Sequence, residues 1–230
     1  MEIIPLDWDS VFFQLRIAKA VVVLEEEVDE LAKRARQLRK RFDLIYIFSE
    51  PGIEIPFEQA VLVDKKAIFT LSDPGCYETD SHIKSWEPSE GAERLVPLAL
   101  VSGKYSRFRL DSRLPAGSYE RLYTRWIEQS VRKAIATEVF CYMIDGHPRG
   151  LLTLDRRDDR NVIGLVAVDE ECQHQGIGRA LVRHAVSYVH PYQGKHLSVA
   201  TQLDNDPACR LYSKCGFSLE SVTKIWHWWL

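Results

Sequence analysis

Residues 162–186, VIGLVAVDEECQHQGIGRALVRHAV, have the composition of a phosphate-holding turn. An apolar run with strand character ends in acidic residues, a turn with two glycines follows, and apolar residues then recur at helical steps. Gly176 and Gly178 remove side chains where backbone must approach something closely. The amides of Gln175, Gly176, Ile177, Gly178 and Arg179 lie at the N-terminus of the next helix, where free N–H groups and the helix dipole favour an anion. The turn lacks the Lys–Ser/Thr pair of a G-x-x-x-x-G-K-[ST] loop and the third glycine of a G-x-G-x-x-G fingerprint. What remains is Q-x-x-G-x-G, formed by Gln173, Gly176 and Gly178. By itself it reads either as an anion cradle or as a tight turn with no ligand.

A second constellation follows about thirty residues on, in DNDPACRLYSKCGF. Pro207 suits the start of a helix and Gly216 the residue after its end. Asn205, Ala208, Leu211, Tyr212, Lys214, Gly216 and Phe217 form N-x-x-A-x-x-L-Y-x-K-x-G-F. The two motifs, in this order on strand–turn–helix units, resemble the GNAT superfamily of acetyl-CoA-dependent N-acetyltransferases. The resemblance spans roughly residues 85–230.

That resemblance implies acetyl-CoA as co-substrate, with no metal. It implies that Gln173, His174, Gln175, Gly176, Ile177, Gly178 and Arg179 hold the CoA pyrophosphate, and that Val166, Ala167 and Val168 pair through their backbone with the pantetheine arm. The strand HLSVATQL would splay from that segment and leave a slot for the thioester, with Asn205 alongside. Tyr212 matches the tyrosine that protonates the departing thiolate. A positioned acid eases loss of a thiolate, although an apolar, core-facing tyrosine has the same local pattern. No residue is singled out as the general base; Glu170, Glu171 and His174 near the turn read as surface residues.

These groups depend on the elements around them. IAKAVVVL reads as a strand, and in EEEVDELAKRARQLRKRF the residues Val28, Leu31, Ala32, Ala35, Leu38 and Phe42 form one helical face. DLIYIFSE is a strand, and QAVLVDKKAIFTL one or two more. SEGAERLVPLALV reads as a helix capped by Ser89, SRFRLDSRLPAGS as a loop, and YERLYTRWIEQSVRKAI as an amphipathic helix. Three strands follow, turned at Asp145–Gly146, a good hairpin signal, and at the polar run 156–160. After the opening turn and helix come HLSVATQL, the helix DPACRLYSKC and a last strand, SLESVTKIWHWWL. There Trp226 and Trp228 share one face, and His227 and Trp229 the other. A strand packed on both faces and a dimer contact both fit this pattern; the reading leans to a homodimer.

The elements give an α/β fold class with a mixed sheet, and the resemblance implies a small N-terminal α/β domain, residues 1–82, before a GNAT domain, residues 83–230. The polar segment 72–95 joins them. The 230 residues suffice for a real core, and the net charge of −3 shows no basic footprint for nucleic acid. Five cysteines without a C-x-x-C pair suit reduced thiols. No apolar run reaches membrane-spanning length, and MEIIPLDWDS lacks the pattern of a secretory signal. A cytoplasmic location is expected.

The segments LDWDSVFFQLRIAK, SRFRLDSRLPAGSYERLYTRWIEQSV and SVATQLDNDPACRLYSKCGFSLESV also resemble those of dTDP-fucosamine acetyltransferases. These implied relatives acetylate the 4-amino group of a dTDP-4-amino-4,6-dideoxyhexose. Arg107, Phe108 and Arg109 are then the candidate substrate-binding residues. Guanidinium groups suit a diphosphate and an aromatic ring suits a base or sugar face, although a solvated loop has the same composition. Residues 50–79 have no counterpart in that resemblance.

Overall fold

The computed structural model describes residues 1–156, 161–190 and 196–230. In chain order the strands are β1 (Ile3–Pro5), β2 (Ile17–Val22), β3 (Leu44–Ser49), β4 (Ala60–Leu71), β5 (Ile83–Ser85), β6 (Glu138–Ile144), β7 (His147–Arg156), β8 (Asn161–Val168), β9 (Leu197–Gln202) and β10 (Ser218–Trp229). The helices are α1 (Asp7–Phe13), α2 (Glu25–Leu38), α3 (Val96–Ser102), α4 (Arg107–Leu110), α5 (Ser118–Val131), α6 (Ile177–Val189) and α7 (Asp206–Lys214). Among the described residues the strands form one sheet in the order β1-β2-β3-β10-β4-β9-β8-β7-β6-β5. The pairs β2/β3 and β8/β9 are parallel, and the rest are antiparallel.

Strands from either side of residue 82 pair with one another. β4 lies between β9 and β10, and β3 pairs with β10. The helices cover both faces. α6 places Leu181, Val182, Ala185 and Val186 against Phe140, Leu152, Leu154 and Ile163. On the opposite face, α3 and α5 pack Leu98, Ala99, Ile127 and Val131 on Val139, Cys141 and Leu151. α5 also carries Leu122 and Tyr123 into a cluster with Phe13, Leu44 and Tyr46, and so bridges the two parts of the chain.

The aromatic last strand is an interior strand. β10 pairs with β3 on one edge and β4 on the other. Trp226 and Trp228 pack into the cluster under α2. His227 is fully buried on the opposite face, its ring stacked on Tyr46 at 4.8 Å. Both edges of the strand are paired; Trp226, His227 and Trp228 are buried within the fold and Trp229 is half-buried.

Two local readings change. The helix expected from Ser89 starts at Val96, because Gly91 has a φ of 70° and breaks the segment into short 3-10 turns at Pro88–Glu90 and Glu93–Leu95. The expected loop SRFRLDSR contains the single helical turn α4, whose first turn is capped when the Phe108 amide donates to Ser106 Oγ at 3.3 Å. The Asp145–Gly146 hairpin is present, with φ of 49° and 75° at its two turn residues. Of the expected polar turn 156–160, residues 157–160 lie outside the described residues.

Candidate active site

The site begins with a defect in the sheet. β8 pairs with β9 only from Asn161 to Ile163, opposite Leu197 to Val199. Beyond that point β8 continues with β7, and β9 with β4, so the two strands part. The cause lies on the other edge of β8. Leu154 pairs with Ile163 and Leu152 with Val166, so Gly164 and Leu165 together face the single residue Thr153. This is a β-bulge, which bends the bulged strand and increases its twist. The Leu165 amide, displaced from the ladder, donates to Thr153 Oγ1 at 2.8 Å. A Cβ on Gly164 would lie 2.6 Å from that same oxygen, so a side chain there would push the hydroxyl away. Thr153→Val keeps the shape but leaves the amide unpaired beside a buried side chain. It is expected to lower the unfolding free energy by roughly 1–3 kcal/mol, read by denaturant titration; an unchanged midpoint overturns the role given to the hydroxyl.

Parting opens a cleft of about 1240 Å³. Leu165, Val166, Ala167 and Val168 line one wall, and Ala200, Thr201 and Gln202 the other. From Gly164 onward the edge of β8 that faces the cleft has no strand partner among the described residues, although the Gln173 side-chain amide donates to the Val168 carbonyl at 3.2 Å.

One end of the cleft is closed by the N-terminus of α6. Gln173, His174, Gln175, Gly176, Ile177, Gly178 and Arg179 all line it. Gly176 is the N-cap with φ 86°, preceded by His174 at φ 63°, so the turn lies in left-handed backbone where glycine is least strained. Gly178 serves packing: a Cβ there would lie 3.3 Å from Leu211 of α7 and 3.6 Å from Val168 of β8. The two glycines thus do different things, one shaping the turn and the other letting α6 settle against both walls.

α7 supplies the other side. Asn205 caps it by accepting from the Ala208 amide at 3.3 Å, and also reaches Thr201 Oγ1 at 3.4 Å. Leu211 and Tyr212 line the cleft. Tyr212 is 4% exposed, with the rings of Phe69 and Phe217 at 5.9 and 6.0 Å. Burial pushes its phenol well above the ordinary range, so the group is neutral.

At the far end lie residues of α4, α5 and the first part of the chain: Arg107, Phe108, Tyr123, Trp126, Phe48, Asp64 and Lys66. Arg107 stands over the rings of Tyr46, Phe48 and Phe108 at 5.0, 5.9 and 4.5 Å. Arg109 is not among the lining residues. It is exposed and turned toward the Tyr119 ring at 5.7 Å, because its place on the one-turn helix α4 points it away from Arg107. Arg113 also points elsewhere, forming an ion pair with Asp111 at 3.0 Å.

Phe48, Asp64 and Lys66 were missed in the sequence. They belong to strands whose own patterns give no sign of a site, and only the pairing of β4 with β9 and β10 brings them to the cleft.

A split parallel strand pair, a glycine turn at a helix N-terminus and a buried tyrosine lie along one cleft. The profile of the acetyltransferase (GNAT) family matches residues 106–217, and the chain carries a GNAT acetyltransferase domain, that of an acetyl-transferring enzyme. The chain is 27% identical over 226 residues to a dTDP-fucosamine acetyltransferase of Escherichia coli O6:H1 (strain CFT073), covering 96% of this chain and 95% of that protein. It is 25% identical over 143 residues to the spore coat polysaccharide biosynthesis protein SpsD of Bacillus subtilis (strain 168), covering 62% of this chain and 49% of SpsD. The chain thus spans about half the length of SpsD. In fold it is similar to a functionally unknown conserved protein from Staphylococcus epidermidis, with TM-score 0.61, 15% identity and coverage of 93% and 84% of the two chains. A GCN5-related N-acetyltransferase from Sphaerobacter thermophilus gives TM-score 0.59 at 14% identity, covering 87% and 65%.

Proposed function

We propose that this protein moves acetyl from acetyl-CoA to the amino group of a nucleotide-linked amino sugar of the dTDP-4-amino-4,6-dideoxyhexose type. The observation that carries the reading is the continuity of one cleft. It joins the anion cradle of α6 to an end lined by Arg107 and Lys66 among the rings of Phe48, Phe108 and Trp126. A diphosphate sugar presents both anionic oxygens and flat apolar faces, and guanidinium and aromatic groups suit these. The similarity to the E. coli enzyme over nearly the full length of both chains supports the same acceptor class.

In this reading the backbone amides at Gln175 to Arg179 hold the CoA pyrophosphate, and the unpaired edge of β8 from Val166 to Val168 binds the pantetheine arm. The thioester enters the slot between β8 and β9, with Asn205 and Thr201 on its far wall. Both substrates bind together and the amine attacks directly. Tyr212 donates its phenolic proton toward the departing sulfur, while Arg107 and Phe108 hold the acceptor. The five cysteines are all free thiols, which supports a cytoplasmic setting.

A protein amine or a polyamine is the second acceptor class. Lys66, Lys104 and Arg107 on the lining of the cleft weigh against a polycation. A CoA-binding sensor without catalysis has no need of a buried tyrosine at the slot. The test is to incubate the protein with acetyl-CoA and a panel of dTDP- and UDP-amino sugars, and to follow free thiol. Release with a sugar nucleotide is the expected result. Release only with peptides or polyamines, or CoA binding with no release, overturns the proposal.

A further inference from the structure

The acceptor amine must lose a proton as it attacks, and Asp64 is placed to receive it. Asp64 sits on β4, with Ile225 of β10 opposite it in register and Lys66, two residues along, opposite Gln202 of β9. It therefore lies just past the end of β9, at the acceptor end of the slot. The side chain lines the cleft and is 9% exposed. One carboxylate oxygen, Oδ1, is buried without a hydrogen-bond partner. The nearby Nε of Arg107 is buried and unpartnered as well. Among the described ion pairs none joins the two residues, although each lines the same cleft. A buried acid and a half-buried arginine, each with a buried, unused polar atom, call for a ligand that satisfies both.

We infer that Asp64 is a catalytic residue that takes the proton from the acceptor amine while Arg107 holds a neighbouring oxygen of the acceptor. The inference rests on the proposed acetyl transfer. The amine nitrogen forms a bond to the thioester carbonyl carbon and gives one proton to Asp64 Oδ1. The C–S bond breaks, and the sulfur receives the proton of Tyr212. Asp64 then loses its proton to solvent and Tyr212 regains one. The sum is amide plus free CoA thiol.

The electrostatics suit this use. Burial pushes the Asp64 carboxyl up to about 6, partly offset by Arg107 of α4, the Gln202 side chain and Lys66. Asp204, after β9, acts in the opposite sense and is itself paired with Lys65 at 3.2 Å. α5 presents the phenol of Tyr123, raised by burial to about 12 and thus neutral. α1 presents Asp9, which is raised by burial and draws on the same Arg107. β3 presents the ring of Phe48. A carboxyl near 6 is charged at neutral pH and more basic than an exposed aspartate, which favours proton uptake from an amine.

The experiment measures acetyl transfer by the whole protein and by Asp64→Asn and Asp64→Glu, from pH 5 to 9, with whichever amine in a panel of sugar nucleotides, peptides and polyamines the unaltered protein uses. Asp64→Asn is expected to lower kcat about a hundredfold or more while leaving the Kd for CoA unchanged by calorimetry. Activity of the unaltered protein should rise with pH through about 6, and this limb should vanish in Asp64→Asn. Asp64→Glu should restore part of the activity, with the limb shifted. A raised acceptor KM with unchanged kcat makes Asp64 an anchor only and overturns the inference, as does a limb that persists in Asp64→Asn. Transfer confined to peptides or polyamines sinks the sugar-nucleotide reading while leaving Asp64 to this test, and no transfer to any amine overturns both.

Discussion

Tyr212→Phe is expected to cut turnover by about a hundredfold and to leave acetyl-CoA affinity within about twofold. The expectation follows from what the hydroxyl does and does not contribute. Tyr212 is 4% exposed, and its ring is held against Phe69 and Phe217. Phenylalanine keeps that packing and opens no cavity. What disappears is one O–H at the wall of the cleft. Burial keeps this phenol neutral across the working pH range, so its proton is always present. In the proposed reaction, the burial that raises the phenol also raises the proton affinity of the sulfur leaving beside it, so donation remains useful to the chemistry. A donor fixed where negative charge develops acts in the transition state more than in the bound ground state, so kcat falls and binding does not. Steady-state kinetics together with CoA calorimetry test the split. Unchanged turnover would remove Tyr212 from the chemistry, and parallel losses of binding and turnover would make it a structural residue.

Asp111→Ala is expected to destabilise the fold by about 3–5 kcal/mol, or on the order of 10 °C in Tm. Asp111 is 7% exposed and anchors three groups. His227 Nδ1 lies at 2.8 Å, Trp229 Nε1 donates at 2.9 Å, and the Arg113 Nε donates at 3.0 Å. Burial alone would push its carboxyl up, but the hydrogen bonds from His227, Arg113 and Trp229 outweigh that and hold it far below the usual range. Burial drives His227 the other way, below its ordinary value and only partly offset by Asp111. The contact is therefore a hydrogen bond from a neutral imidazole to a carboxylate. Removing the carboxylate strands two buried donors and a guanidinium.

The signs for pH follow. A depressed aspartate contributes stability above its unfolded value near 3.8, lost as pH falls through its lower folded value. A depressed histidine binds fewer protons folded than unfolded, so stability also falls as pH drops below 6.5. Tm should therefore decline as pH falls below 6.5, and the part due to the carboxylate should be absent in Asp111→Ala. Asp111 is also the residue that ends α4, so the variant should loosen Arg107 and Phe108 and raise the acceptor KM more than the KM for acetyl-CoA. Melting curves from pH 2 to 8 and a KM comparison test this. A Tm loss under 2 °C would mean that the network contributes little.

Much of the cleft wall formed by α6 and α7 was legible because it is local. A helix N-terminus, its glycine turn and the asparagine cap of α7 are each fixed within a few residues, so their types and spacing report their geometry. The strand assignments fared well for the same reason: β2, β3, β8, β9 and β10 each carry an apolar run bounded by polar or turn residues. The first turn of α3 did not, because the cap signal at Ser89 competes with Gly91, whose positive φ breaks the run. Arg109 matched the composition of an acceptor loop, but one turn of helix aims Arg107 into the cleft and Arg109 away from it.

The part of the lining from the first third of the chain was not legible. Phe48, Asp64 and Lys66 sit more than a hundred residues before the glycine turn, on strands that alone look like ordinary core elements. The bulge opposite Thr153 is likewise invisible in VIGLVAV, because a bulge is a mismatch between two strands and belongs to neither. The aromatic tail allowed two readings until its neighbours were known. By itself the sequence determined most of the elements, the glycine turn at the head of α6 and the helix that carries Tyr212, since hydrogen bonding and periodicity act over a few residues. Only the tertiary structure decided that β4 lies between β9 and β10, which brings a buried carboxylate to the slot. Strand order depends on long-range pairing, and no short window of sequence contains it.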